Sequence, residues 1–292
     1  MSKALIIGAA FIDVIINVPE LPVDGGDITG SLTSSNLGGC AFNVYGALKA
    51  CNQPADLFVP VGIGQYADKV KEVLGQKNIP VTLSVEGADN GWDIALVKPD
   101  GERSFLTMNG IEQYWNSDWF KKIDIQSYDY LYVSGYELES PKSAAIILDA
   151  LEKRNSDAYL VFDPSPRIGH LPSDVLKRIL TKNVIIHCNQ DEISSVMPQG
   201  NTLNEKLQRI FDLTQSPVVV TLGAKGACYF DGNAMTTISS EDTPIVNTIG
   251  AGDTHCGAMI AGLMDNLDLK TTINEANHLS ALVVGQENGS LY

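Results

Sequence analysis

Short apolar runs rich in β-branched residues recur along the chain at 4–7, 57–61, 130–133, 159–162, 184–187 and 218–221. Between them lie stretches with apolar residues at helical spacing: 42–50, 67–76, 143–154, 175–180 and 203–213. A strand buried on one face alternates apolar and polar residues. These runs hardly alternate, so both of their faces are predicted to be covered. Such strands separated by helices predict an α/β three-layer sandwich around a mainly parallel sheet. Two stretches break the rhythm. Residues 14–37 alternate and are rich in Gly, Pro, Thr and Ser, while 92–109 hold two alternating runs joined by Lys98-Pro99-Asp100-Gly101, a strong hairpin signal. With no helices between them, these strands are predicted to form a second, smaller sheet, a lid over the strand ends. The expected division is 1–13, 38–91 and 110–292 in the α/β body, with 14–37 and 92–109 in the lid.

Composition narrows the function classes. At 292 residues and 44% hydrophobic content, the chain is long enough for one large domain with a small appendage. A net charge of -15 argues against nucleic acid as a main partner. Cys40, Cys51, Cys188, Cys228 and Cys256 are scattered and form no C-x-x-C pair, which points to a reducing compartment and a cytoplasmic location. Asp13 interrupts the apolar start and no small-residue cleavage site follows, so the start reads as a buried strand and not a signal peptide. No stretch is long enough to span a bilayer.

The densest chemistry lies in Asn247-Thr248-Ile249-Gly250-Ala251-Gly252-Asp253-Thr254, ahead of a small-residue helical run over 255–267. Small residues let a ligand approach the backbone, and the first N–H groups of a helix point outward without intrahelical partners. With the macrodipole they suit a phosphate or a developing oxyanion. A carboxylate in that place reads either as a helix cap or as a proton acceptor beside a phosphoryl group. Gly38-Gly39 opens a helix that carries Asn43, an amide able to bind a polyol. Asp13 follows the first apolar run, in the crevice where α/β sheets hold ligands. Asn189 and Glu192 stand three apart after a strand and suit a hydrated Mg²⁺. Thr221 to Gly226 is a turn able to wrap a nucleotide. The G-x-x-x-x-G-K-[ST] phosphate loop is absent. Gly62-x-Gly64-x-x-Ala67 fits a dinucleotide fingerprint but lies outside the first βα unit, where that fingerprint belongs.

Together these elements resemble the ribokinase (PfkB) family of carbohydrate kinases, from Asp13 to about Gly289. The resemblance implies a ribokinase-like fold and ATP-dependent phosphorylation of a sugar or nucleoside hydroxyl, with Mg²⁺. It implies Asp253 as general base and the N–H groups of Gly250, Ala251 and Gly252 as anion hole. Asp13, Gly38, Gly39 and Asn43 would hold the sugar, with Arg103 and Arg167 as further contacts. Asn189, Thr221, Gly223, Lys225, Gly226 and Asn277 would meet the nucleotide, and Glu192 with Asn189 the Mg²⁺ through water. It also implies a monovalent-cation site at Asn247 and Thr248, where many relatives have Asp in place of Asn247; a neutral amide weakens such a site. A homodimer through the lid is expected, because an open sheet edge invites pairing. The alternatives from other classes are a non-catalytic sugar or nucleotide sensor and a dinucleotide-dependent oxidoreductase binding at Gly62.

Overall fold

A computed structural model describes residues 2–99, 103–172 and 174–292; the Asp100-Gly101 turn lies outside them, as does the side chain of Arg103. The strands are β1 (Ala4–Ile7), β2 (Phe11–Asn17), β3 (Ser31–Gly38), β4 (Ala55–Phe58), β5 (Pro60–Val61), β6 (Leu83–Ser84), β7 (Trp92–Val97), β8 (Arg103–Met108), β9 (Tyr130–Ser134), β10 (Tyr159–Asp163), β11 (Val184–Asn189), β12 (Val218–Thr221), β13 (Ala227–Phe230) and β14 (Met235–Ile238). The helices are α1 (Cys40–Ala50), α2 (Gln65–Gln76), α3 (Pro141–Leu151), α4 (Val175–Ile179), α5 (Ile193–Val196), α6 (Leu203–Thr214), α7 (Ala251–Met264) and α8 (Leu269–Val284).

The main sheet runs β14-β13-β12-β11-β10-β9-β1-β4. It is parallel from β12 to β4, with β13 and β14 added as an antiparallel edge. Side chains alternate between two cores. Leu5, Ile7, Leu131, Val133, Leu160 and Phe162 pack against α3, α4, α5 and α6. Ala4, Ile6, Tyr132 and Val161 pack against α1, α2, α7 and α8. This double coverage is why the strands read as continuous apolar runs.

The second sheet runs β3-β2-β7-β8, with β2 parallel to β7 and antiparallel pairs on either side. The apolar start is two strands, broken at Gly8 to Ala10, where the chain leaves the main sheet for the small one. Asp13 therefore sits inside β2 of the small sheet and not at the end of a core strand. A buried Glu112 staples the junction, accepting from the N–H of Gly91 at 3.0 Å and of Gly110 at 2.6 Å. Among the described residues no helix is long and apolar enough to cross a membrane.

Candidate active site

Gly250 begins α7 with φ 74°, and a Cβ there would lie 1.8 Å from the Gly289 carbonyl oxygen, so only glycine fits. An added Cβ on Gly252 would meet nothing within 4 Å, so the approach to the helix start is open. One turn further, a Cβ on Gly257 would lie 2.5 Å from the Val44 carbonyl. Its absence lets α7 cross close over α1, and that crossing brings Asn43 to Asp253. Asn43 Nδ2 donates to Asp253 Oδ2 at 2.9 Å. Asp253 does not cap its own helix; α7 has no side-chain cap. Burial pushes the Asp253 carboxyl above its ordinary range, and the bond from Asn43 opposes that by favouring the ionised form. The part-exposed Cys40 thiol leans on the same carboxyl, whose charge, with burial first, holds the thiol well above its usual value.

On the small-sheet side, a Cβ on Gly38 would lie 2.1 Å from Asp13 Oδ2, so this glycine makes room for the Asp13 carboxyl. Gly39, at φ 96°, sits against the Ala9 carbonyl. Burial, then Asp93 and Asp253, push Asp13 up to about 8. A cavity of about 230 Å³ adjoins this corner, lined by Asp13, Gly38, Asn43, Asn247 and Tyr292 among others.

At the end of β11, Asn189 and Glu192 hold one another. Glu192 Oε2 accepts from the Asn189 N–H at 3.0 Å, and Asn189 Oδ1 accepts from the N–H groups of Asp191 and Glu192, both at 2.9 Å. Those two bonds use both lone pairs of the Asn189 amide oxygen, which leaves its amide N–H groups to face a ligand or water. Glu192 keeps a second oxygen, and burial pushes it up to about 7, a cost that a nearby dication would remove. A hard carboxylate oxygen fits Mg²⁺, directly or through water.

Thr221 ends β12, and Gly223 to Lys225 form a short turn with Gly223 at φ 60° and Gly226 at φ 92°. A Cβ on Gly226 would strike the Ile238 carbonyl at 2.1 Å. Lys225 is exposed beside it. Asn277 is buried and donates to the carbonyls of Ile238 at 3.0 Å and Ser239 at 3.4 Å. Its amide therefore braces the end of β14 and does not reach out as a direct nucleotide contact.

Comparison with known proteins decides which family built this arrangement. The chain matches the pfkB family carbohydrate kinase description over residues 1–291. It is 34% identical over 293 residues to an uncharacterized sugar kinase of Escherichia coli (strain K12), covering 98% of this chain and 90% of that protein. The chain belongs to the pfkB family of carbohydrate kinases. Its fold is the ribokinase-like one. A ribokinase from Thermotoga maritima superposes with a TM-score of 0.84 at 17% identity, covering 99% of this chain and 94% of that one. A ribokinase from Arabidopsis thaliana, solved with ribose and ATP, gives 0.81 at 18% identity, with the same two coverages of 99% and 94%.

For this kinase, the glycines at 62 and 64 are not a dinucleotide fingerprint. The start of α2 is already filled by a carboxylate: Asp89 accepts from the N–H groups of Tyr66 at 3.2 Å and Ala67 at 2.7 Å. Gly64 is glycine because a Cβ would strike Asp89 at 2.3 Å. The oxidoreductase alternative falls with that anion site. Arg167 is engaged by Glu139, at 3.1 and 3.2 Å, and stacks over Tyr136. Arg103 opens β8, in register with Val97 of β7. Asn247 Nδ2 donates to the Glu287 carbonyl at 2.7 Å while its oxygen accepts from the Ile249 N–H at 2.9 Å; Thr248 beside it is exposed.

Sequence reading missed a buried chain beneath α7. His187 Nδ1 lies 3.0 Å from Asp163 Oδ2, and His187 Nε2 lies 2.9 Å from His255 Nδ1. Burial keeps both imidazoles neutral, His187 at about 4 and His255 at about 3. A neutral His187 that donates to Asp163 must accept from His255, which ties β10 and β11 to the helix that carries Asp253. In the sequence, each histidine merely ended or began an apolar run. Glu137, buried and hydrogen-bonded by the Ser134 hydroxyl at 2.6 Å, was also missed. Burial pushes it up to about 7.

Proposed function

We propose that this carbohydrate kinase transfers the terminal phosphoryl group of ATP to a hydroxyl of a sugar or nucleoside, with Asp253 as general base. The observation that carries this reading is Asp253 in the first turn of α7, beside the open Gly250-Ala251-Gly252 start and oriented by Asn43. The backbone N–H groups at that start stabilise charge on the transferring group, the Ala251 N–H giving up its long 3.4 Å bond to the Thr248 carbonyl to do so, and Asp253 takes the hydroxyl proton. A carboxylate is a weak base, so positioning and charge stabilisation account for most of the acceleration. Bound Mg²⁺ would neutralise phosphate charge, held from Glu192.

Asp13, Gly38, Gly39 and Asn43 form the sugar end, and Thr221, Gly223, Lys225 and Gly226 the nucleotide end. Asn189 contributes its free amide N–H groups there. The small sheet serves as a lid that excludes water, the competing acceptor. Its edge strands β3 and β8 expose Leu32, Phe105 and Leu106, which suits a homodimer through that sheet in the cytoplasm. The test is Asp253→Asn, scored by ADP release over ribose, fructose, 2-keto-3-deoxygluconate, pseudouridine and common nucleosides. The variant is expected to bind nucleotide and lose turnover by orders of magnitude. Full retained activity refutes the assignment. Binding without turnover in the wild type would instead mark a sensor.

A further inference from the structure

One row of side chains crosses the whole small sheet. In register, Asn36 of β3 stands beside Asp13 of β2, Asp13 beside Asp93 of β7, and Asp93 beside Thr107 of β8. Partners in register share a face, so four polar side chains line up on one side of the sheet. At about 4.8 Å per strand, the row is about 14 Å long. The next row, Leu37, Ile12, Trp92 and Met108, belongs to the opposite face, where Leu37, Ile12 and Trp92 join the core with α1 and α2. The polar row is thus a deliberate contrast with its neighbour, and it includes the Asp13 assigned to the sugar.

Asp93 is the member with no explanation inside the fold. Its Oδ1 is buried and has no hydrogen-bond partner. Among the described residues no cationic side chain pairs with Asp13 or Asp93. Two described lysines near this corner are engaged elsewhere: Lys77, which lines the cavity with Asp13, lies over the Tyr292 ring at 5.3 Å, and Lys69 donates to the Ser35 hydroxyl of β3. Two adjacent carboxyls without a cation repel one another, and burial makes that costlier. Asp93 and then Asp253 add to the burial that raises Asp13, and burial also raises Asp93 to about 6. A ligand offering hydrogen-bond donors to both would satisfy them.

We infer that Asp93 is a specificity-determining residue. With Asp13 it grips an uncharged, donor-rich polyhydroxyl substrate, a sugar or nucleoside, and rejects sugar phosphates and sugar acids. This rests on the phosphotransfer reading of the same site and narrows its substrate class. A carboxylate accepts hydrogen bonds from hydroxyl groups, and a phosphate or carboxylate on the substrate would meet like charge in a poorly solvated corner.

The test compares wild type, Asp93→Asn and Asp93→Ser. Turnover and calorimetric binding, with ADP present, are measured for ribose, fructose and pseudouridine against ribose 5-phosphate and 2-keto-3-deoxygluconate. Wild type should favour a neutral member by at least about 100-fold in kcat/KM or affinity. Both variants should raise KM or Kd for it about tenfold or more and narrow the gap to the anionic members, with ADP affinity unchanged and melting temperature no lower than wild type, since they remove a buried charge that repels Asp13. Neutral-sugar binding that the variants weaken, without any turnover, would support the inference and sink phosphotransfer. Preference for an anionic member, binding of no member, or unchanged neutral-substrate affinity in both variants overturns it.

Discussion

Replacing Asn43 by Ala removes one hydrogen bond, and the structure says what that bond does. Asn43 is buried, and its Nδ2 donates to Asp253 at 2.9 Å, so the bond favours the ionised base against the burial that disfavours it. A hydrogen bond to a charged group contributes about 1.5–3 kcal/mol. Lost from the ionised form alone, that corresponds to roughly a 10- to 150-fold fall in the fraction of Asp253 ready to take a proton. The loss applies only on the acid side of the profile, where protonation limits the rate. As pH rises, Asp253 ionises in the variant too, and the deficit closes. The assay is kcat at saturating substrate from pH 5 to 9 for wild type and Asn43→Ala, using kcat so that weakened sugar binding does not enter. The acid limb should move to higher pH while the alkaline plateau is largely kept. A uniform loss at every pH, with the limb unmoved, refutes the claim that Asn43 sets the charge of the base.

Two further outcomes follow from the same geometry. The Asn247 amide bridges the Glu287 carbonyl and the Ile249 N–H from within, so turnover should be equal in potassium-containing and potassium-free buffer. Asn247→Asp, which turns a donor into a charge facing that carbonyl, should create a potassium requirement; potassium activation of the wild type refutes this. Asp13, Asp93, Glu137, Asp163 and Glu192 all hold their protons more tightly folded than unfolded, at about 8, 6, 7, 7 and 7. The folded state therefore binds more protons, and stability falls as pH rises from about 4 through 8. His187 and His255, lowered to about 4 and 3, act oppositely below about 6.5, but they are two against five. Ligand-free protein should melt at a higher temperature at pH 6 than at pH 8 by scanning calorimetry, and a flat or rising trend would show the acids ionised in the fold.

Local sequence signals were enough to set the elements and the chemistry-bearing motifs. Period and punctuation are local signals, so the buried parallel strands, most helices, the small sheet and the Gly250 to Asp253 start were legible. The antiparallel β13 and β14 were not, being four-residue strands set between glycine turns. Which groups meet depends on packing between distant segments. Asn43 and Asp253 are 210 residues apart, and only the close crossing of α1 and α7 at Gly257 joins them. A one-residue change of register would turn Asp13 and Asp93 to the other face of the sheet. Asp89 silenced the glycines at 62 and 64, Glu192 occupied the Asn189 backbone, and Asp163 found His187, each through packing between segments or turn geometry that no local pattern encodes. Residue type fixes what a group can donate or accept, while its partner, burial and charge state are properties of the packed whole.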